Sequence, residues 1–542
     1  MRDVEIRIAS ESWEFDEIHR FNHQTFAEEI PQHPVNGTRR LVDRFHDQNT
    51  YIVAVRGRRV IGMVVVRGRR PFSLDQRLAN LDSYLPSGRS VCELRLLAVD
   101  KASRATGFLP PLLDYTARHC LREGFDLAVI SAITTQLRLY RHIGFEPFGP
   151  LTGTAPVQFQ PMMLTLERFA ARLPASFQRA GVTARQPSSF LPGPVAVQPA
   201  VRAAFARSPE SHRLPAFEHL LTSTRDRLCR LAGARHAAVL LGSGTTANDV
   251  VAAQLSLRSS PGVILSNGEF GERLQDHARR WNLAFDVIST AWGEAFDVDS
   301  IRNHVANAPR GGWLWCVHCE TSTGVLNDLD AISSVCAEAR VALCVDAVSS
   351  IGTVPVDLER VSLASAVSGK GLGAYPGLAI VFHDTTVDPA PQLPRTLDLG
   401  LYGAMSVPFT HSSNLVSALQ AALTETDWEQ RYRELRETGI WLRTLLERLG
   451  FRIVAAASSA SPAVITIALP PQVASTRVAA ALEHAGFSLS AHSRYLAQRN
   501  WIQICPMGGA SRSDLSSVVT ALAHVCHRVS GGAFASGASV SA

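Results

Sequence analysis

The feature that most limits the fold of this chain is a series of short apolar segments between residues 237 and 382. The strand candidates are AAVLLG, GVILSNG, FDVIST, WLWCVH, ALCVDAV, ASAVSG and GLAIVF. Several are apolar almost throughout, as expected for strands buried on both faces, and helical stretches separate them. This pattern predicts an α/β fold with a mostly parallel, seven-stranded sheet covered by helices on both faces. Further along, helices and the strand candidates FRIVA, AVITIAL and WIQICP predict a small C-terminal α/β domain.

The N-terminal region has a different pattern. The stretch YIVAVRGRRVIGMVVVRG predicts a β-hairpin with its turn at Arg56-Gly57-Arg58. The strand candidates CELRLLAV, FDLAVISA and PMMLTLERF follow, with the helix candidates GFLPPLLDYTARHCLREG and TQLRLYRHIG between them. These residues therefore predict a separate α/β domain.

Changes in pattern predict the domain boundaries. We expect an N-terminal domain over residues 1–168, a linker over 169–189, a large domain over 190–405, a small domain over 406–527 and a disordered tail over 528–542. The linker holds two prolines and has no strong period, and the tail consists of small and polar residues.

Composition excludes several classes of protein. The net charge of +5 is small for 542 residues, and no basic stripe indicates a nucleic-acid partner. No apolar stretch approaches the roughly 18 residues that span a bilayer, and the first residues lack an apolar signal core. The 9 scattered cysteines predict free thiols in a reducing, cytoplasmic compartment. Cys316 and Cys319 form a single CxxC without two further ligands at suitable spacing, so we expect no metal site.

Lysine is almost absent from the chain. Only Lys101 and Lys370 occur, so any chemistry that needs a lysine amine has two candidates. Lys370 follows a strand candidate in the sequence SGKGLG, whose small residues leave room around its amine. A plain surface lysine is the other interpretation of this position.

Two further features lie in the same region. Gly242-Ser243-Gly244-Thr245-Thr246 joins a strand candidate to a helix, where backbone N–H groups, hydroxyls and the helix N-terminus favour an anion. Asp346 ends another strand candidate, at the sheet edge where α/β proteins bind ligands. Taken singly, the first can be a simple strand–helix connection and the second a helix cap.

Together, the lysine, the carboxylate and the anion cradle suit pyridoxal phosphate. That cofactor needs a lysine for its Schiff base, an acid beside its pyridine nitrogen and a site for its phosphate. The combination predicts a pyridoxal-phosphate enzyme.

Residues from 190 to about 510 resemble class V, fold-type I pyridoxal-phosphate aminotransferases, especially the 2-aminoethylphosphonate–pyruvate transaminases. The matching stretches follow the family's order. They are LPGP (191–194), VLLGSGTTAN (239–248), ILSNGEFGERL (264–274), VHCETSTGVLND (317–328), CVDAVSSIGTVPVDL (344–358) and SGKGLGAYPGLAIVF (368–382), with the pair Thr410 and Ser413.

The resemblance implies a role for each matching residue. The phosphate would be held by Ser243, Gly244 and Thr245, and the phosphate of a neighbouring subunit would be reached by Thr410 and Ser413. Around the ring, Phe270 would stack on its face, Thr321 would approach its hydroxyl and Asp346 would face its nitrogen. Lys370 would bind the cofactor covalently and move the proton, and the cofactor would also be lined by Val348 and Ser368. It therefore also implies a homodimer.

One position departs from the family pattern. Gln503 stands where the family has an arginine that grips the acidic group of the substrate. An amide cannot form the bidentate, charge-assisted contact of a guanidinium. Arg494 and Arg499 are candidate substitutes, and both equally suit a solvated loop. Ser368-Gly369 also replaces the family's Ala-Asn before the lysine.

Residues 1 to about 168 resemble GNAT-type N-acyltransferases through CELRLLAVDKASRATGFLPPLLDYTARHC and LRLYRHIGFEPFG. The resemblance implies that Val99, Arg104 and Gly107 bind the pyrophosphate of an acyl-CoA, that Tyr140 protonates the leaving thiolate and that Glu93 acts as a base through water. Leu109 stands where the family's loop has a small residue. FNHQTFAEEIPQHP also resembles acyltransferases that use acyl-carrier thioesters.

The sequence thus predicts a bifunctional enzyme. One part would exchange an amino group between an amine or amino acid and an oxo acid, and the other would acylate an amine. The alternative is a lyase, decarboxylase or desulfurase that uses the same cofactor, joined to a non-catalytic GNAT-like binding domain. Gly369 stands where desulfurases have a histidine, which is evidence against a desulfurase.

Overall fold

The computed structural model describes residues 4–154, 157–165, 168–169, 187–306 and 311–530. It divides into two compact units. The first contains the residues up to Ser188, with Ala480–Phe487 and the last helix from Ser517 onward; the second contains Ser189–Ala479 and Ser488–Ser516. Residues 170–186 of the predicted linker and 531–542 of the predicted tail lie outside the described residues, and the predicted domain boundaries remain predictions.

Within the described residues, the first unit forms an eight-stranded sheet. In spatial order its strands are Glu5–Ile8, Thr50–Arg56, Arg59–Arg67, Val91–Val99, Leu127–Ile133, Val157–Thr165 and Glu146–Pro147, and Thr152–Thr154 also pairs with Val157–Thr165. The α-helices are Ser12–His23, Leu109–Arg122 and Leu137–Ile143. The predicted hairpin is present as Thr50–Arg56 paired with Arg59–Arg67.

The sheet of the first unit opens at its centre. Val91–Val99 and Leu127–Ile133 run parallel, and their described pairing ends where Glu93 meets Val129. On its other side, Val91–Val99 continues to pair up to Val99 and carries an irregularity near Leu96, whose φ is 48°. Residues 94–97 of this central strand are only half-buried. The two strands therefore stop pairing beyond Glu93, and we call the space between their unpaired parts the cleft.

Within the described residues, the second unit is built on a seven-stranded sheet. Its spatial order is His236–Leu241, Leu378–His383, Leu363–Val367, Ala342–Asp346, Trp313–Val317, Gly262–Ser266 and Phe285–Ser289. Leu378–His383 is antiparallel to both neighbours, and the other pairs are parallel. Each strand coincides with one of the apolar segments that the sequence indicated, so the predicted mostly parallel sheet is confirmed.

Helices cover both faces of this sheet. One apolar core involves the helices Pro199–Phe205, Pro215–Ala232, Val298–Val305, Leu329–Ala339 and Ser413–Glu425. A second core, on the opposite face, involves Gly244–Ser256, Glu269–Arg280 and Leu399–Ala404. The two cores explain why the strands are apolar on both sides.

The elements after Ser413–Glu425 begin with helix Trp428–Arg448, which precedes an antiparallel sheet of Arg452–Ile453, Ile465–Ala468 and Trp501–Ile504. The other helices are Ser475–His484, Arg494–Arg499 and Arg512–Val529, and the first and last of them are divided between the two units. The strand predicted from FRIVA is only two residues long. Among the described helices, none combines the length and apolarity required to cross a membrane.

Two loops at the carboxyl edge of the large sheet meet through their backbones. A Cβ added to Gly371 would lie 2.3 Å from the carbonyl oxygen of Ile351. A Cβ added to Gly352, whose φ is +79°, would lie 2.5 Å from the carbonyl carbon of Gly371. Glycine at these positions allows the loop after Asp346 to contact the loop that carries Lys370.

We expect Gly371→Ala to lower the free energy of unfolding by about 1–3 kcal/mol, because the added methyl group forces the two loops apart. Thermal unfolding measures the effect. Gly403→Ala is the matched control, since its Cβ would make only an ordinary 3.9 Å contact with the Val387 carbonyl oxygen. Equal melting temperatures for the wild-type protein and Gly371→Ala would contradict this account of the loop contact.

Candidate functional site

Asp346 is held in one orientation at the carboxyl end of its strand. The carboxylate accepts a hydrogen bond from Asn248 Nδ2 at 2.8 Å and another from the backbone N–H of Val348 at 3.0 Å. The amide oxygen of Asn248 in turn accepts the hydroxyl of Ser365 at 2.6 Å. Because Asp346 is buried and fixed by two donors, its carboxyl group has a defined position at the sheet edge.

Lys370 lies in a short chain of hydrogen bonds. Its Nζ donates to Ser349 Oγ at 2.9 Å, and Ser349 Oγ lies 2.5 Å from Thr321 Oγ1. Burial lowers the pKa of the Lys370 amine, while the charge of Asp346 opposes that shift. A lowered pKa increases the neutral, nucleophilic fraction of the amine at neutral pH. The structure thus brings Lys370, Thr321 and Asp346 into one neighbourhood, with Ser349 as a connection that sequence reasoning missed.

The predicted anion cradle begins helix Gly244–Ser256. Ser243 caps this helix: its hydroxyl accepts the Thr246 N–H at 3.5 Å, and its own N–H donates to Thr246 Oγ1 at 3.2 Å. Ser243 and Thr245 are exposed. A Cβ on Gly244 would lie 3.2 Å from the side chain of Val348, so the cradle adjoins the Asp346 loop. The N–H groups of the first turn lack intrahelical partners and favour an anion here.

Phe270 lies in the first turn of helix Glu269–Arg280, and its ring centroid is 5.4 Å from Lys370 Nζ. The carboxylate of Glu320 accepts the backbone N–H groups of Phe270 at 3.1 Å, Gly271 at 3.0 Å and Ser322 at 3.1 Å. Burial raises the pKa of Glu320, while these hydrogen bonds oppose the rise. Sequence reasoning missed Glu320, which connects the helix bearing Phe270 to the loop bearing Thr321.

Gln503 is fully buried and contacts that same loop. Its Nε2 donates to the carbonyl oxygens of Thr321 at 2.6 Å and Ser322 at 3.3 Å, and to Thr466 Oγ1 at 2.9 Å. Its Oε1 has no hydrogen-bond partner among the described residues. The residue at the family's arginine position therefore fixes the backbone beside Thr321.

The other predicted residues of the second unit make separate contacts. Ser368 Oγ donates to the Tyr375 carbonyl oxygen at 2.6 Å, and Ser413 Oγ accepts the Glu210 N–H at 2.8 Å. Thr410 and Arg494 are exposed, and the Arg499 guanidinium lies 3.4 Å from the centroid of a Trp292 ring. In the described part of the chain, none of these five predicted residues forms a hydrogen bond with Lys370, Asp346 or Thr321.

In the first unit, Glu93 lies where the central strands begin to separate. Its buried carboxylate accepts the N–H and hydroxyl of Ser73 at 2.8 and 2.5 Å and the N–H of Leu74 at 3.2 Å. These bonds hold the loop after Arg67 against the sheet.

Burial raises the pKa of Tyr140 to about 12, so its hydroxyl stays protonated at neutral pH. Arg104 donates to the Val99 carbonyl oxygen at 3.2 Å and forms an ion pair with Glu29. Gly107 has a φ of 75°, and the two prolines that follow Leu109 lie in the first helical turn, where no intrahelical N–H bond is lost. Val99, Arg104 and Gly107 thus lie at the far end of the strand from Glu93.

The residues of the second unit fit pyridoxal phosphate. A buried amine, a fixed carboxylate, an aromatic ring and an exposed helix N-terminus are grouped around the loops that follow three neighbouring strands. They match the cofactor's aldehyde, ring nitrogen, ring face and phosphate.

Comparisons with known proteins agree with both parts of this description. The family model described as Aminotransferase class-V matches residues 201–395, and the model described as N-acyl amino acid synthase FeeM matches residues 17–167. The soluble hydrogenase 42 kDa subunit of Anabaena cylindrica is 30% identical over 377 residues, covering 65% of this chain and 96% of that protein.

A 2-aminoethylphosphonate–pyruvate transaminase of Pseudomonas aeruginosa is 30% identical over 279 residues, covering 47% of this chain and 73% of that protein. Among solved structures, the ureidoglycine–glyoxylate aminotransferase of Bacillus subtilis aligns with a TM-score of 0.60 and 22% identity, over 66% of this chain and 96% of that one. The latter likeness shows the fold, and together the matches confirm the resemblance found in the sequence.

We expect Glu320→Gln to lower the free energy of unfolding by about 1–3 kcal/mol, because the new NH₂ group would face backbone N–H donors. It should also weaken pyridoxal-phosphate binding, since Phe270 and Thr321 lie on the segments that Glu320 joins. Thermal unfolding and cofactor titration by absorbance test both effects. The control is Glu359→Gln on the exposed surface; equal behaviour of the two variants would contradict the role given to Glu320.

Proposed function

The chain belongs to the class V aminotransferases, and we propose that its second unit transfers an amino group between an amine or amino acid and an oxo acid. The observation that supports this most directly is the chain of contacts from Lys370 through Ser349 to Thr321, beside the fixed carboxylate of Asp346. An amine of lowered pKa next to a buried acid is the arrangement that transamination with pyridoxal phosphate requires.

Each residue has a definite task in this proposal. When bound, pyridoxal phosphate supplies an electron sink that makes a substrate C–H bond acidic. Lys370 Nζ would hold the cofactor and would move the proton that leaves the substrate carbon. Asp346 keeps a proton on the ring nitrogen, and Ser349 orients the Lys370 amine. Ser243, Gly244 and Thr245 bind the phosphate at the helix N-terminus.

The charges of the residues near the site determine which of them we propose as contacts for an acidic substrate group. Gln503 is neutral and its amide nitrogen is already bonded to the Thr321 loop, so it offers no cation to an acidic substrate group. Arg494 and Arg499 are the proposed alternatives for that contact. We further propose a cytoplasmic homodimer in which Thr410 and Ser413 approach the phosphate bound by the neighbouring subunit.

Lys370→Ala should abolish the visible absorbance band of lysine-bound pyridoxal phosphate, because no other lysine exists in that part of the chain. With the wild-type protein, a matching donor should convert that band to the pyridoxamine form. Amino acids, ω-amines and aminophosphonates are screened by absorbance, and Lys101→Ala is the matched control. A band that shifts with donors and never converts would contradict transamination and favour the lyase alternative.

For the first unit, we propose transfer of an acyl group from acyl-CoA or an acyl-carrier thioester to an amine. The match to N-acyl amino acid synthases over residues 17–167 supports it, as does the cleft beyond Glu93. The amine nitrogen forms a bond to the acyl carbon while the carbon–sulfur bond breaks. The thiolate takes a proton from Tyr140, and the proton lost by the amine reaches Tyr140 through water or Glu93.

In this proposal the Arg104–Gly107 segment binds the phosphate groups of the thioester, with Val99 at the end of the adjoining strand. The role proposed for Glu93 is less well supported than that of Tyr140, because the Glu93 oxygens already accept three hydrogen bonds. Tyr140 therefore provides the decisive test of acyl transfer.

We expect Tyr140→Phe to lower the rate of amine-dependent thiol release from an acyl-CoA by about 10²–10⁴-fold, since the thiolate loses its proton donor. A pKa of about 12 also predicts no loss of rate from Tyr140 as the pH rises to about 10. A thiol-reactive dye measures release, and Tyr84→Phe is the exposed control. Unchanged release by Tyr140→Phe would rule out this role.

A further inference from the structure

Three arginines of the first unit lie around the ring of Phe45, and a fourth, Arg77, lies nearby over the ring of Phe159. The guanidinium carbons of Arg67, Arg44 and Arg95 lie 3.9, 4.6 and 4.8 Å from the centroid of the Phe45 ring. Arg77 is close enough for its charge to interact with those of Arg44 and Arg95. We call Arg44, Arg67, Arg77 and Arg95 the arginine cluster.

The carboxylates near the arginine cluster do not balance its charge. Asp43 forms a bidentate ion pair with Arg95 at 2.8 and 2.9 Å, and Glu93 lies 3.7 Å from Arg95 Nε. Among the described residues, no carboxylate comes within ion-pair distance of Arg44, Arg67 or Arg77. Four guanidinium groups therefore face two carboxylates, which leaves positive charge for an anion.

Arg67 is the member of the arginine cluster whose hydrogen-bond donors most clearly lack a partner. It is fully buried, and its Nε donates to the Pro71 carbonyl oxygen at 3.0 Å. Its Nη1 is also buried and has no hydrogen-bond partner in the described part of the chain. An unpaired donor of a buried cation is costly, and an anionic oxygen would satisfy it. Burial lowers the pKa of Arg67 and of Arg77, and nearby arginines lower both further.

The arginine cluster lies where the sheet opens. Arg67 pairs directly with Glu93 in the neighbouring antiparallel strand, and Glu93 pairs with Val129 in the parallel one. Side chains of directly paired residues lie on the same face of a sheet. Arg77 reaches that area too, since its Nη1 donates to Ser131 Oγ, two residues beyond Val129, at 2.9 Å. The cluster is therefore at the closed end of the cleft.

We propose that the arginine cluster binds the carboxylate of an α-amino acid whose amine accepts the acyl group. This inference rests on the proposed acyl transfer in the first unit. A carboxylate suits paired guanidinium groups because it can accept two parallel hydrogen bonds. Holding it at the closed end of the cleft directs the adjacent amine into the space between the separated strands.

The phosphate groups of a thioester are the other possible anion for the arginine cluster. The length of strand Val91–Val99 is evidence against their binding there. The Arg104–Gly107 segment follows Val99, which is six residues beyond Glu93 on the same strand. At about 3.3 Å per residue, those six residues span about 20 Å. Thioester phosphates at that segment are thus remote from the arginine cluster.

The test compares two ligands that differ only in the carboxylate. Calorimetry with the full-length protein measures the binding of N-octanoyl-phenylalanine and N-octanoyl-phenethylamine; their blocked nitrogen cannot react with pyridoxal phosphate. We expect the wild-type protein to prefer the carboxylate ligand by about tenfold or more. Arg44→Gln/Arg77→Gln should abolish that preference and leave the affinity for the neutral ligand unchanged. Both side chains are exposed, so this variant should fold.

Two further variants complete the comparison. Arg67→Gln tests the buried contact directly, and its folding is checked by circular dichroism. Arg56→Gln, an exposed arginine at the end of the hairpin strand, is the control and should keep the preference. No preference for the carboxylate in the wild-type protein would overturn the proposal. So would a double variant that weakens binding of coenzyme A and leaves the carboxylate preference intact, since the anion would then be a thioester phosphate.

A parallel assay separates this inference from the proposed acyl transfer. Thiol release from octanoyl-CoA is measured with phenylalanine and with phenethylamine. If the carboxylate preference disappears in the double variant while the wild-type protein releases no thiol, the binding site is supported and acyl transfer fails. If both acceptors react equally well with wild-type and variant proteins, acyl transfer is supported and the carboxylate site is overturned.

Discussion

The site of the second unit depends on three parallel strands that end at one edge of a sheet. Trp313–Val317 leads to Thr321, Ala342–Asp346 leads to Ser349, and Leu363–Val367 leads to Lys370. Because these strands are neighbours and share one direction, residues far apart in sequence come within hydrogen-bonding distance. The contact between Gly352 and Gly371 then sets how closely the loops approach.

The sequence allowed the second unit's sheet to be predicted, because strands buried on both faces must be apolar throughout. It indicated Lys370 for a similar reason, since lysine is nearly absent elsewhere. It could not indicate Ser349, Asn248 or Glu320, whose partners are 21, 98 and up to 50 residues away. Polar pairs of that kind depend on the register and spacing of the strands. Register and spacing produce no repeating pattern in the sequence, so the pairs cannot be predicted from it.

The arginines show the same limit of prediction from sequence, because they are abundant where lysine is scarce. Because nearly all basic residues are arginines, no single one stands out in the sequence. Arg44 and Arg67 differ only after folding, when the first remains exposed and the second is buried with an unpaired nitrogen. The sites proposed in the two units share one feature, because each lies where strands of a sheet stop pairing: at the strand ends in the second unit, and between two strands in the first.

The scarcity of lysine has a consequence for experiments on this protein. Amine-directed reagents such as succinimidyl esters have, apart from the chain terminus, only two side chains with which to react. Lys101 is exposed, and a cofactor bonded to the buried Lys370 amine would block labelling there. Mass spectrometry of protein labelled with and without added pyridoxal phosphate therefore compares the reactivity of Lys370 in the two states, with Lys101 as an internal standard for the extent of labelling.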